Sequence, residues 1–457
     1  MRRVPRSDRE SSPPGRSWHP LRRRLAVLAA APLLALSAAT ATAQGVWVTV
    51  PNLPTPRFNL DGAAADCPEG LIGTCVYAIG GAVDGDRNEV YSPSSGTWAT
   101  LAPLKTPRRG VASTTAPCPG GVEGDCVYVL GGNEQGGPAL NTAEAYSTAA
   151  NVWLSLPPVQ TRRTNAAAAT APCPGGLPLR GTCVYVFGGS NEDVPSGLTS
   201  VEAYSPATNT WATLKDLQTG RHSHGGAAAP CPGDLGLRGN CVYAVGGTAA
   251  GGSLDSVEVY SPLLDAWQFA PDLPAARTQL GAATAPCPEG MSDGCVYAVG
   301  GGGSPGAETK VEAYTPVSNV WVTLPSLPTP HRGLASATAP CPRNTRNTCV
   351  YAFGGSPNGA ESLTSAVEAF AIEGAHGRPA PRPEPEQRPE QRPEPEQRPE
   401  QMPQQRPDQK PAPAPKPDPK PAPKPTPKPA PSEDPSADPD EGSPFDTPAP
   451  GAASGRG

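Results

Sequence analysis

The string Cys-Val-Tyr, followed by a hydrophobic pair and two glycines, occurs six times in this chain. The copies begin at Cys75, Cys126, Cys183, Cys241, Cys295 and Cys349, spaced 51 to 58 residues apart. A unit of that length repeated head to tail confines the fold to architectures in which each copy packs on its neighbours. Each copy reads as four short strands. The first is small and apolar, as in RGVASTTAP from Arg109; the second is CVYVLGG, the third AEAYS, the fourth NVWLSLP. Turn-forming residues separate them: Pro-x-Gly after the first, Gly-rich polar loops after the second, SPxxNxW-like turns after the third. Four antiparallel strands repeated radially form a propeller blade, so an all-β, six-bladed β-propeller over residues 44–375 is predicted. Small first strands suit the crowded axis, where six strands converge, as in the alanines Ala166 to Ala169.

The twelve cysteines fall into six pairs: Cys67/Cys75, Cys118/Cys126, Cys173/Cys183, Cys231/Cys241, Cys287/Cys295 and Cys341/Cys349. Each pair brackets the turn between first and second strands, which places two sulfurs across the mouth of a hairpin. An even, regular set in an exported chain reads as a disulfide framework. Seven or nine residues separate the partners, whereas structural zinc sites space theirs by two to four.

Export is read from the first 43 residues. Arg22-Arg23-Arg24 precede the apolar run LAVLAAAPLLALSAA, and Ala41-Thr42-Ala43 before Gln44 fits a small-residue cleavage site. The run is too short to span a bilayer and no later segment reaches the required length. A signal peptide and a secreted or cell-envelope location are therefore expected, without a transmembrane anchor. An uncleaved N-terminal anchor is the alternative, and Arg22-Arg23 also permits twin-arginine export. The 63 prolines of the 457 residues concentrate beyond about residue 376. There RPEPEQRPEQ and KPAPKPTPKP runs exclude helix and ladder, so residues 376–457 are expected to be polyproline II or disordered, a spacer or an envelope contact. Net charge is −6 with no basic run interleaved with aromatics, so no nucleic-acid partner is expected.

The glycine pairs, the Tyr with a Trp seven residues later (Tyr91/Trp98, Tyr146/Trp153, Tyr204/Trp211, Tyr260/Trp267, Tyr314/Trp321), and the Glu two before each Tyr resemble the kelch repeat. The resemblance covers Val46 to about Ile372. The sixth copy departs from it: Phe370 replaces the Tyr and no Trp follows, whereas VWVTVPNLPTPR at the N-terminus has the fourth-strand pattern with Trp47 in place. The N-terminal strand is thus expected to complete the last blade and remove open sheet edges.

Tracing the strands puts the stapled turns and the SPxxNxW turns on one face. The loops after the glycine pairs and the links between blades lie on the other, here called the loop face. Loops that vary over a rigid scaffold are the usual place for binding residues. Ten residues before the first cysteine of each pair stands Arg57, Arg108, Arg163, Arg221, Arg277 or His331. Opening the innermost strands, these would form a cationic ring at the channel mouth, a region the kelch resemblance implies for ligand contact, suited to a carboxylate, acidic peptide or acidic sugar. The competing expectation is that Glu89, Glu144, Glu202, Glu258, Glu312 and Glu368, near the same face, neutralise them. Non-repeated residues are then the better candidates: Arg109, Arg162, Arg332, and His222 with His224, which alternation would turn to one side. Kelch-type copper oxidases need two tyrosines, one crosslinked to a cysteine, and here every cysteine has a partner, so no metal or other cofactor is expected. No nucleophile or phosphate-loop motif occurs. The expected function is binding of a protein, peptide or glycan ligand. The alternative is a carbohydrate-active enzyme, a sugar-acid isomerase, mutarotase or oxidase, for which two free carboxylates near the channel are required. Asp61, in the first blade only, is the lone obvious one.

Overall fold

A computed structural model describes residues 45–288, 294–358 and 362–372. The leader reading of residues 1–43 and the proline-rich segment 376–457 lie outside the described residues.

Six four-stranded antiparallel sheets surround one axis, ordered from the axis outward as they occur in the chain. Blade 1 is Asp61–Asp66, Thr74–Ile79, Asn88–Ser92 and Thr97–Thr100. Blades 2 to 5 repeat that order, with innermost strands Ala112–Pro117, Ala167–Pro172, Gly225–Pro230 and Gly281–Ala285. Blade 6 takes three strands from the C-terminal end, Ala335–Cys341, Asn344–Phe353 and Val367–Ile372, and its outermost strand, Gly45–Thr49, from the N-terminal end. The predicted closure is therefore present. Trp47 lies opposite Phe370 with ring centroids 5.2 Å apart, as Trp98, Trp153, Trp211, Trp267 and Trp321 lie 5.1–5.4 Å from their tyrosines.

The repeated residues each have a mechanical duty. The Val and Tyr of every Cys-Val-Tyr copy are sealed between blades, burial that stabilises by roughly 1.5–3 kcal/mol per large apolar side chain. Each of these tyrosines also donates its hydroxyl back to a carbonyl at the end of the first strand, from Tyr77 to Asp66 through Tyr351 to Pro340, at 2.6–2.7 Å. Four of the five third-strand tyrosines reach the turn: Tyr146, Tyr204 and Tyr314 donate to Asn151, Asn209 and Asn319 Oδ1 at 2.5–2.7 Å, and Tyr260 to Asp265 at 2.8 Å, whereas the Tyr91 hydroxyl has no hydrogen-bond partner. Those acceptors have φ of 46–55°, a conformation Asn and Asp tolerate better than other side chains. Each of the six described tryptophans donates its indole N–H to a carbonyl of the preceding blade at 2.8–2.9 Å, Trp98 to Pro51 and Trp47 to Pro325 included.

All six expected disulfides are formed, with Cα separations of 4.8–4.9 Å. Each closes a short loop, for which the chain-entropy account gives about 2.5 kcal/mol. Replacing Cys118 and Cys126 together by serine should lower unfolding free energy by that amount at most. Denaturant titration of the double variant beside the parent measures it, and the blade should survive because its tyrosine cap remains.

Candidate functional site at the channel mouth

The glycine pairs stitch each blade to the next. The second glycine donates its N–H to the carbonyl of the arginine, or of His331, that begins the following blade, at 2.7–3.1 Å around all six junctions. The first glycine has φ of 57–67°, and a Cβ there would stand 2.4–3.0 Å from that same carbonyl oxygen. Only glycine serves, both for the backbone conformation and for the closeness of the neighbouring chain.

The arginines of the repeat do not face the channel. Their side chains have no solvent exposure, and each is ion-paired to the glutamate of its own blade: Arg57 to Glu89 at 2.8 Å, Arg108 to Glu144 at 3.4 Å, Arg163 to Glu202 and Arg221 to Glu258 at 2.6 Å, and Arg277 to Glu312. Other guanidinium N–H groups go to carbonyls of the same blade; Arg163 reaches Gly188 and Ser200, Arg221 reaches Gly246 and Ser256, whereas Nε of Arg108 and of Arg277 has no hydrogen-bond partner. His331 copies the arrangement, donating through Nδ1 to the Gly354 carbonyl at 2.6 Å, with Nε2 3.1 Å from Glu368. Burial pulls the arginine pKa values down, and the paired glutamates act against it. Of the two expectations, neutralisation is the one realised, and an open cationic ring of Arg57, Arg108, Arg163, Arg221, Arg277 and His331 is not formed.

The reason lies two residues further along. Asn59, Gly110, Asn165, Ser223, Gln279 and Gly333 all have φ of 52–60°. This left-handed residue turns the chain between the arginine and the innermost strand, which starts four residues after the arginine rather than at it. The arginine side chain is thereby sent into the blade. The turning residues form the rim instead: each N–H donates to the carbonyl of its counterpart in the previous blade at 2.7–2.9 Å, and the bond from Asn59 to Gly333 closes the circle. Nothing in the period or the hydrophobic pattern announced this girdle. The available signal was the Asn or Gly two residues past the arginine in four of six copies, the residue types that accept positive φ most readily.

The same turn corrects the reading of the histidines. Ser223, φ 53°, interrupts the alternation between His222 and His224. His222 is partly exposed on the loop face, its Nδ1 3.0 Å from Ser223 Oγ. His224 fills the slot that Leu60, Val111, Ala166, Leu280 and Leu334 fill in other blades, packed on Phe187 with ring centroids 5.4 Å apart. Neither ring nitrogen of His224 has a hydrogen-bond partner, and burial holds its pKa well below the usual imidazole range. Among the described residues no three His, Cys, Asp or Glu side chains are grouped to hold a metal ion.

On the loop face itself, the residue following the buried arginine or histidine of each blade bridges the loop after the glycine pair, as Arg109 does with Asn133 and Arg332 with Ser356. Arg109 and Arg332 are partly exposed and Arg162 is exposed. None of the three is ion-paired within the described residues; Arg332 Nε donates to Gln279 Oε1 at 3.2 Å. Beneath the rim lies a cavity of about 100 Å³ lined by the starts of the innermost strands. A second, of about 230 Å³, is lined by their alanines and threonines nearer the stapled face. Asp61 is the one carboxylate among the residues lining either cavity. The second carboxylate that acid–base chemistry on a sugar requires is not among them.

Three segments of the chain, 173–218, 237–274 and 290–328, match the kelch motif. The segments run through the second, third and outermost strands of blades 3, 4 and 5. Similar proteins include Kelch-like protein 23 of Homo sapiens, 27% identical over 217 residues (46% of this chain, 33% of that protein). Kelch-like protein 35 of Mus musculus is 27% identical over 246 residues (53% and 35%). Kelch-like protein terF of Aspergillus terreus is 25% identical over 311 residues (63% and 61%). The chain thus spans about a third of the length of the first two relatives and about three-fifths of the third.

Proposed function

From the premise that this chain is a six-bladed propeller with kelch motifs in three of its blades, we propose that it is an exported or envelope-associated binding module whose loop face takes an acidic segment of a protein or an acidic glycan. The observation that carries this reading is the contrast between the two arginine sets. Those of the repeat are consumed inside the blades, whereas Arg109, Arg162 and Arg332, outside the repeat pattern, stand accessible on the loop face with no carboxylate in salt-bridge contact among the described residues, Glu192 being close enough to feel the charge of Arg162. A guanidinium presents five donors in a planar fork suited to carboxylates. The glycine-pair junctions and the hydrogen-bonded girdle hold the backbone beneath these side chains in place, so little ordering is needed on binding. Fold alone does not dictate function, and the reading rests on these side chains. The leader-like start and the six disulfides support export.

A fluorescence-anisotropy titration of the full chain with labelled oligoglutamate and with oligogalacturonate tests it. Binding should weaken steeply with salt and fall at least tenfold in an Arg109→Ala, Arg162→Ala, Arg332→Ala variant whose unfolding midpoint is unchanged. Equal affinity of parent and variant for both polymers, or no binding at low salt, would remove the loop-face arginines from the function.

A further inference from the structure

At the fourth position after the arginine or histidine, the innermost strands carry Ala112, Ala167, Gly225, Gly281 and Ala335 in blades 2 to 6, but Asp61 in blade 1. The packing of the repeat does not ask for a carboxylate there. Five of the six buried glutamates have an arginine within 4 Å, and the sixth, Glu368, has the His331 ring. Asp61 has none among the described residues. Its oxygens accept backbone N–H groups from Gly62 at 2.8 Å and from Ser113, on the next blade, at 2.6 Å. Those bonds do not offset burial, which pushes the carboxyl up to about 6. A largely desolvated charge without a counter-ion calls for one.

The surroundings supply further acceptors. Ser336, 6% exposed, lines the same cavity from blade 6; its hydroxyl has no hydrogen-bond partner and stands against Gly281. The Ser113 side chain enters from blade 2, beside the carboxylate. Across the channel stand only Ala168, Gly226 and Ala282, which leave the axis clear. The only other titratable group of the lining is His224, kept uncharged by burial. The polar side of the cavity therefore offers one carboxylate and two hydroxyls, the girdle of turning residues forms its rim, and Asp61 retains some exposure through the channel.

We propose that the channel beneath the rim binds a primary ammonium group, with Asp61 as its counter-charge and the Ser336 and Ser113 hydroxyls as its other acceptors. An ammonium carries three N–H donors, and the polar wall offers three acceptors. About 100 Å³ is below the roughly 300–1,000 Å³ of pockets that enclose whole drug-sized ligands, so a head group enters and the rest of its molecule stays at the mouth. The source is either a free small amine or a lysine side chain presented by a partner at the loop face.

The test is a thermal-unfolding titration of the full chain with methylammonium chloride and, separately, with a short peptide containing one lysine. Tetramethylammonium chloride, which has no N–H donor, controls for salt. A saturable rise of the midpoint with methylammonium or the lysine peptide, absent with tetramethylammonium, is expected. The response to each identifies the source. Asp61→Asn should weaken the apparent affinity at least tenfold. Ser336→Ala, which leaves both backbone bonds of Asp61 intact, should weaken it several-fold. Should Asp61→Asn fail to fold, Ser336→Ala decides the matter. No response to either amine, the same response to tetramethylammonium, or undiminished binding by Ser336→Ala with Asp61→Asn equally unaffected or unfolded would overturn the proposal and leave the channel to water.

Discussion

Replacing Arg221 with alanine is expected to cost about 3–5 kcal/mol, the usual penalty for removing one partner of a buried ion pair. Glu258 would then keep its bonds from the Gln218 and Thr219 N–H groups but lose its only cation, at 2.6 Å, while the carbonyls of Gly246 and Ser256 lose donors. For about 330 residues unfolding as one unit, entropy near 2.1 cal/mol/K per residue converts this into a fall of roughly 4–7 °C in the melting midpoint. An Arg221→Met, Glu258→Leu double variant should recover a large share of the loss, because it removes the stranded charge along with the pair. Differential scanning calorimetry of the two variants separates this account from its rival. If Arg221 were a ligand-contact group, alanine there would leave the unliganded midpoint where it was and change only a ligand response.

A second large effect is expected at the blade junctions. In Gly131→Ala, the new Cβ would stand 2.4 Å from the Arg163 carbonyl oxygen, at φ 60°. In Gly96→Ala, φ is 70° but nothing lies within 4 Å of the new atom. The Gly96 variant isolates the conformational cost, roughly 1–2 kcal/mol for a side chain held left-handed. The Gly131 variant adds displacement of the next blade's backbone. It should lose about 3–5 kcal/mol in all, within the range that marks a specific structural failure. Urea titrations of both variants give the difference directly. Equal losses would mean that the junction gives way without strain and that the glycine pair serves its turn alone.

The two effects share a cause. The carbonyl of the repeat arginine accepts from the second glycine of the previous blade, and the guanidinium of Arg57, Arg163, Arg221 and Arg277 donates to the carbonyl of the first glycine of its own. Arginine and glycine pair are halves of one joint that passes from blade to blade. This is why Cys-Val-Tyr runs into Gly-Gly in every copy: the disulfide staples one end of the hairpin, the tyrosine caps that staple, and the glycines fasten the other end to the neighbour.

Much of this was legible from residue types and spacing because each repeated residue acts within its own blade or on the adjacent one. Blade count, strand order, disulfide pairing and closure by the Trp47 strand all follow from a period and a missing Trp. Local rules also foresaw the pairing of the repeat arginines as one of two outcomes, since an equal number of glutamates recurs in register. What they misjudged was direction. An unbroken strand from Arg221 would have turned its side chain to the channel and set His222 and His224 on one side; the left-handed Ser223 does neither.

Sequence alone determined the all-β repeat, its six copies and its staples, because strand periodicity and cysteine spacing are short-range properties. Tertiary structure decided which charges remain for use. Six turning residues meet only when the ring closes; their mutual hydrogen bonds orient the arginines into the blades, leave Arg109, Arg162 and Arg332 outside, and set Asp61 without a cation at the axis. A contact made by one residue from each of six distant segments has no signature in any one of them.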